Sequence, residues 1–265
     1  MGHVGFIQKL RTEDNRPISY FLELDGNSIP LNPFIGKPIH LIHNGQLQCC
    51  ACKKLIPKLF GQGFCYPCFM NAPENAPCII RPELCEAHLG KGRDVDWETQ
   101  NHVQPHAVYL AISSGLKVGI TRWTQIPTRW LDQGAQRAIV VAKTPNRYLA
   151  GCIEVALKDH FSDRSAWQAL LKGDPDFSIN LAAEKQKAKS VLDAQLAPYF
   201  FEDNQIYSFS YPILKRPEKV KSMSLAKTPE VSKTLTGILG QYLLFDDDSV
   251  MNVRSHTGFG AEWRI

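Results

Sequence analysis

Apolar and polar positions change period along this chain, and the change divides it. Near the N-terminus they fall in short β-rich runs, the pattern of strands. Tyr20–Leu24 is one run, Asp25-Gly26-Asn27 a turn, and Lys37–Ile42 a second run. Asn44-Gly45 follows, a strong hairpin-turn signal beside strand residues. Residues 69–105 are rich in Pro, Asn and Ala and predict mostly irregular chain. Regular structure resumes with a strand at Ala107–Ile112, a turn at Ser113-Ser114-Gly115 and a strand at Lys117–Thr121. Ile126–Gln133 predicts a helix with Pro127 in its first turn, and Gln136–Ala142 a third strand. Thr144 can N-cap a further helix that starts at Pro145, where a missing N–H costs nothing, and runs to about Phe161. Residues 163–198 continue as helix, through Leu170-Leu171 and the Ala/Lys-rich stretch Leu181–Leu196. The tail returns to strands at Gln205–Tyr211, Leu235–Ile238, Tyr242–Phe245 and Val250–Arg254, with Asp246–Ser249 as the turn between the last two.

This order predicts an α+β fold. Its centre is a β-β-α-β-α module, and β segments at the two ends pair with each other. The expected stretches are 1–48 (N-terminal β segment), 49–105 (a cysteine-rich ribbon and irregular chain), 106–200 (the α/β module with extra helices) and 201–265 (C-terminal β segment).

Composition adds little until charge is mapped. The chain has 265 residues, 44% of them hydrophobic, and a formal charge of +4, too mild to imply a polyanionic partner by itself. The distribution is more telling. Between Leu116 and Ala150 the charged residues are Lys117, Arg122, Arg129, Arg137, Lys143 and Arg147, against Asp132 alone. Lys215, Arg216, Lys219, Lys221 and Lys227 form a second basic run, and acids gather elsewhere, as at Asp246-Asp247-Asp248. That segregation favours a surface facing nucleic acid, with Arg122, Arg137 and Arg147 as backbone contacts. Trp97, Trp123 and Trp130 lie near basic residues, where they either stack bases or simply pack. Met1–Leu10 is too polar for a signal h-region, and nothing approaches a membrane-spanning apolar run. A cytoplasmic protein without a membrane partner is expected.

The cysteines carry the sharpest chemistry. Cys49/Cys52 and Cys65/Cys68 are two Cys-x-x-Cys knuckles a dozen residues apart. Each pair can hold one face of a metal ion, and four thiolates with no open position is the structural zinc arrangement. Disulfides are the competing reading, and Cys50 can stand in for Cys49 in a shifted knuckle. Cys78, Cys85 and His88 form a second cluster suited to zinc, with His102 and His106 the nearest choices for a fourth ligand. The same residues can instead cap the ribbon or pack as buried thiols. Cys152, flanked by apolar residues, reads as core.

The central segments Ala107-Val108-Tyr109, Lys117-Val118-Gly119-Ile120-Thr121, Arg129-Trp130 and Glu154 resemble the GIY-YIG nuclease superfamily in strand order and motif spacing. The resemblance matches Tyr109 to the Tyr of the first tripeptide and Gly119 to the Gly of the second. It matches Arg129 to the Arg of the first helix and Glu154 to the metal-binding Glu of the second. Ala107 replaces the first Gly, Lys117 the second Tyr, and Gln133 stands where some members have His. Over most of its length the chain also resembles a bacterial family of unknown function, domain-of-unknown-function family twenty-seven ninety-seven. The carrying segments are Cys85-Glu86-Ala87-His88-Leu89-Gly90, Val108-Tyr109-Leu110-Ala111, Lys117–Arg122, Arg129–Ala135 and Asn146–Gly151.

The superfamily resemblance implies a phosphodiesterase. Glu154 would hold Mg²⁺ or Mn²⁺, hard ions that prefer carboxylate oxygen. Arg129 would offer its planar fork to the scissile phosphate. Tyr109 would orient or deprotonate the water, with Lys117 as the cation that lowers its pKa. Two readings compete with an endonuclease: a zinc-ribbon module that binds DNA or RNA without cutting, and a scaffold whose basic face docks a protein. In the plainest reading Glu154 and Lys158 are only an exposed i,i+4 pair.

Overall fold

The two ends of the chain meet in one sheet, in a computed structural model that describes residues 2–161, 166–173 and 177–264. The N-terminal strands are β1 (His3–Phe6), β2 (Arg11–Glu13), β3 (Ser19–Leu24), β4 (Asn27–Pro30) and β5 (Pro38–Leu47). Helices α1 (Tyr66–Asn71) and α2 (Val95–His102) follow. The middle runs β6 (His106–Ile112), β7 (Leu116–Arg122), α3 (Thr128–Asp132), β8 (Arg137–Thr144), α4 (Arg147–Lys158), α5 (Trp167–Lys172) and α6 (Leu181–Val191). The tail adds β9 (Ile206–Ser208), β10 (Lys221–Ser222), β11 (Glu230–Leu239), β12 (Tyr242–Phe245), β13 (Ser249–Asn252) and β14 (Phe259–Arg264).

The first sheet has the order β1-β14-β5-β11-β12-β13-β10, so the expected pairing of the termini is present. β14 lies antiparallel between β1 and β5 and buries Trp263 completely. Sequence pattern misses β14 because Gly260 interrupts its alternation. β2, β3 and β4 form a small separate sheet.

The central sheet has the order β7-β6-β8-β9, all antiparallel. Its β-β-α-β-α order is the expected one, extended by β9 from the tail. Every β6 residue is buried. Val108, Leu110 and Ile112 pack with Ile153, Leu157 and Ala188 of α4 and α6, whereas Ala107, Tyr109 and Ala111 share a core with Trp130 and Trp263. A strand covered on both faces carries an unbroken apolar run instead of an alternation, as His106–Ile112 does.

Several local expectations need correction. Asn44-Gly45 does not turn the chain back: β5 continues to Leu47. His43 pairs with Ala261 and Leu47 with Phe259, so the strand bulges between them. Gly45 takes φ +82° there, and Asn44 Oδ1 accepts the Gln46 N–H at 3.0 Å. A positive-φ glycine thus makes a bulge as readily as a hairpin turn. Asn146, not Thr144, caps α4, its Oδ1 accepting the Leu149 N–H at 2.9 Å. Residues 69–105 are not mostly irregular, since α2 forms there, capped by Asp94. The long helix expected over 163–198 is two, α5 closing at Gly173 (φ +75°) and α6 starting after Asn180. Positions 163–165 and 174–176 of that expectation lie outside the described residues. No helix among the described residues is long and apolar enough to cross a membrane.

α4 is held close to the linker by a glycine. A Cβ on Gly151 would lie 2.3 Å from the Glu83 backbone nitrogen. Alanine at an ordinary helical site gains up to about 1 kcal/mol over glycine. Here the overlap with backbone reverses the sign, and Gly151→Ala is expected to destabilise by about 1–3 kcal/mol. A lowered melting temperature by circular dichroism checks this; an unchanged or raised one contradicts the close packing.

Candidate functional site

The knuckle cysteines converge without being linked. All eight cysteines are free thiols, which removes the disulfide reading. The sulfurs of Cys49, Cys52, Cys65 and Cys68 lie within 4.8 Å of one another. Cys52 and Cys65 are 3.8 Å apart, and two thiolates each about 2.3 Å from one tetrahedral zinc sit at about that separation. The Cys65 N–H donates to Cys49 Sγ at 3.2 Å. Burial alone would raise the Cys49 thiol; N–H groups of Cys65, Cys52 and Ala51 overcome it and bring the pKa down to about 6. The quartet can therefore hold a metal ion such as zinc. Cys50 is outside it, its Sγ directed at the Gln62 carbonyl.

The ribbon is docked on the tail. The Gln48 N–H donates to the Gly258 carbonyl at 2.7 Å, and Arg254 Nε donates to Gln62 Oε1 at 2.9 Å. Arg254 in turn faces the central module, where burial and then the charge of Arg129 lower its pKa. Pattern places Arg254 at the end of a strand; the chain instead leaves β13 at Asn252, and the pairing of the termini brings Arg254 to this site.

Four of the predicted residues meet here. Tyr109 on β6 pairs with Gly119 on β7, and the Tyr109 hydroxyl lies 2.8 Å from where a Cβ on Gly119 would be. Gly119 is thus the floor on which the Tyr109 ring rests. The hydroxyl donates to Gln133 Oε1 at 2.8 Å. Burial pushes the Tyr109 pKa up, and the opposing pull of Arg129 does not reverse it. This upward shift favours the protonated hydroxyl, which suits orienting a water more than deprotonating it, and the cation that acts on Tyr109 is Arg129. Lys117 changes role instead. Burial first, then the Arg129 charge, lowers its ammonium pKa to about 8. Glu154 is nearly buried, its Oε2 3.9 Å from Lys158 Nζ, and it interacts with Tyr109 and Arg147. Arg147 donates to the carbonyls of Cys78 (2.9 Å) and Ile79 (2.8 Å).

Arg129 is thus the common neighbour of Tyr109, Lys117, Arg147 and Arg254. Cations held this close repel one another unless an anion sits among them. Two acids act on this group, Glu154 on Arg147 and Asp132 on Arg254, and the Asp132 carboxylate is also bound by Lys9 at 2.7 Å and Gln241 at 3.0 Å. Beside Lys117 a recess of about 180 Å³ is walled by Gln133, Leu170 and the stacked rings of Trp167 and Tyr242.

Other predicted residues do not join. Arg122 donates to Asn101 and Arg137 to the Phe177 carbonyl, and they stand at opposite ends of the sheet, opposite His106 and Ile112 of β6. His88 is not in the second cysteine cluster, because its ring stacks on Tyr148 at 4.7 Å. His102 takes its place beside Cys78 and Cys85, brought there by α2, the helix that composition did not announce. Trp123 and Trp130 are packing residues, Trp130 fully buried and Trp123 against Phe201.

A family model matches residues 36–261, and its description is protein of unknown function (DUF2797). No curated protein and no solved structure matches the chain.

Proposed function

The chain belongs to the DUF2797 family, and we propose that this member is a zinc-stabilised protein that acts on nucleic acid as a metal-assisted phosphodiesterase of GIY-YIG type. The observation that carries the reading is the cation cluster around Arg129, with Glu154 as the carboxylate beside Arg147 and Lys158. A phosphodiester would add negative charge among cations that outnumber the nearby carboxylates. The fork of Arg129 suits two phosphoryl oxygens. Zinc at the Cys49/Cys52/Cys65/Cys68 quartet is structural, holding Gln62 against Arg254.

Glu154 is the residue that would hold Mg²⁺ or Mn²⁺, hard ions that prefer carboxylate oxygen. Such an ion neutralises charge that develops on the phosphoryl group. The chain's own residues do the rest. The neutral amine of Lys117 takes the proton of the attacking water as the new P–O bond forms; the old P–O bond breaks with its electron pair on the leaving oxygen, which takes a proton from solvent. Tyr109, protonated and fixed by Gln133, keeps the floor of the site rigid. The Trp167–Tyr242 wall offers an aromatic face to a base flanking the phosphate.

Two outcomes follow. A Lys117 pKa near 8 means its basic form grows as pH rises, so cleavage is expected to climb between about pH 6.5 and 8.5 and then level. Lys117→Met should remove that limb; a wild-type profile that falls over this range contradicts the role. Binding to labelled DNA and RNA should weaken linearly in log affinity against log salt, and Arg129→Ala should reduce the slope by about 1. Salt-independent binding, or none on either polymer at low salt, would turn the reading toward a protein partner.

The non-cutting reading rests on one observation. Tyr109 is buried and protonated, so the residue that the superfamily places at the water is withheld from it. Binding without cleavage in Mg²⁺ and Mn²⁺ would favour that reading.

A further inference from the structure

We propose that Cys78, Cys85, His102 and His106 form a second zinc site that clamps the linker to the central module. Three donors are already assembled. The sulfurs of Cys78 and Cys85 and a ring nitrogen of His102 lie within 4.8 Å of one another. His102 Nδ1 is 3.5 Å from Cys85 Sγ and 3.9 Å from Cys78 Sγ. All three residues are buried.

His106 lies outside that 4.8 Å group and is the fourth donor assigned to the site. It is completely buried at the start of β6, close enough to His102 for the two rings to interact electrostatically. Its Nδ1 lies 2.7 Å from the Gln104 carbonyl. A carbonyl only accepts, so Nδ1 carries the proton and Nε2 presents a lone pair. That Nε2 is buried and has no partner. A histidine whose Nδ1–H is fixed by a backbone carbonyl, leaving Nε2 free, is prepared as a metal ligand. Without an ion, a buried ring nitrogen goes unsatisfied. His102-x₃-His106 also has the spacing of the histidine pair in two-cysteine, two-histidine zinc sites. Two thiolates and two imidazoles in a closed, buried setting select zinc over the hard divalent ions. Glu98 is the nearby acid, its Oε2 3.6 Å from His102 Nδ1 and its Oε1 accepting the Arg93 N–H at 2.8 Å.

The surrounding chain needs such a clamp. Between residues 73 and 90 it forms only short single-turn helices, and its buried apolar cluster is Ala76, Cys78, Cys85 and Ala87. A segment with so little core gains its order from a metal. The site then fixes what this segment touches. The carbonyls of Cys78 and Ile79 hold Arg147, and the Pro82–Glu83 backbone packs on Gly151 of α4, the helix of Glu154. His106 ties the same ion to β6, the strand of Tyr109.

The test is the zinc content and X-ray absorption of the purified full chain, which need no variant. About two zinc ions per chain are expected, with an averaged shell of about three sulfurs and one nitrogen. Cys85→Ser should lower the count to about one, His88→Ala should leave it unchanged, and His106→Asn should weaken retention of one ion against a chelator. One zinc per chain in an all-sulfur shell would overturn the proposal. A Cys78→Ser/Cys85→Ser double variant that keeps both ions would do the same. Unaltered retention by His106→Asn would overturn the assignment of the fourth ligand.

Discussion

Cys65→Ser is expected to unfold the ribbon and to lower the stability of the whole chain. The reason is the size of the metal term. Structural zinc contributes about 10–16 kcal/mol of apparent binding energy at pH 7 in small domains, and that energy is folding energy. The ribbon has little else. Apart from α1, residues 49–68 hold themselves by turns and by isolated bridges such as Phe60–Phe64. Serine at position 65 removes one of four sulfurs and leaves the other three with an open position. The loss spreads, because Gln48 and Gln62 anchor the ribbon to Gly258 and Arg254. A drop of several kcal/mol, seen as an earlier thermal transition with zinc release, is the expected result. Unchanged melting with full zinc retention would sink the structural role of the quartet.

Glu154→Ala is expected to separate chemistry from binding. Glu154 is the carboxylate that would hold a hard divalent ion at this site. An ion that neutralises transition-state charge is worth several kcal/mol, so its loss should slow cleavage by at least about a thousandfold. Binding should move the other way or not at all. Removing one negative charge from beside Arg147 and Lys158 leaves the field more positive, which favours a polyanion. Cleavage and affinity that fall together would mean that Glu154 holds the fold rather than the metal. Circular dichroism of the variant distinguishes that case.

The sequence made some of this legible and hid the rest for physical reasons. The four-cysteine quartet was readable because paired knuckles fix local geometry through a short turn. Tyr109 and Gly119 stand out in the two strand segments, and the pairing register places the ring on the glycine. The second cluster was half readable. Spacing points to Cys78, Cys85 and His88 with His102 or His106 as a fourth ligand, whereas the structure groups His102 with the two cysteines. α2, whose apolar periodicity is weak, decided otherwise. Asn44-Gly45 misled because a positive-φ pair serves turns and bulges alike, and only pairing with β14 distinguishes them. Arg254 was out of reach for the same reason: its place depends on the ends of the chain meeting. Local chemistry was written in the sequence, whereas long-range pairing set which residues share the site.

The site around Arg129 and Glu154 is proposed to bind and cut nucleic acid. Its most direct test puts purified protein with labelled DNA and RNA, in Mg²⁺ or Mn²⁺ and in EDTA, wild type beside Glu154→Ala. Binding and cleavage are read on the same gels. The account predicts binding by both proteins, and metal-dependent cutting by the wild type alone. Equal cutting by Glu154→Ala, or neither binding nor cutting on any substrate at low salt, would contradict it.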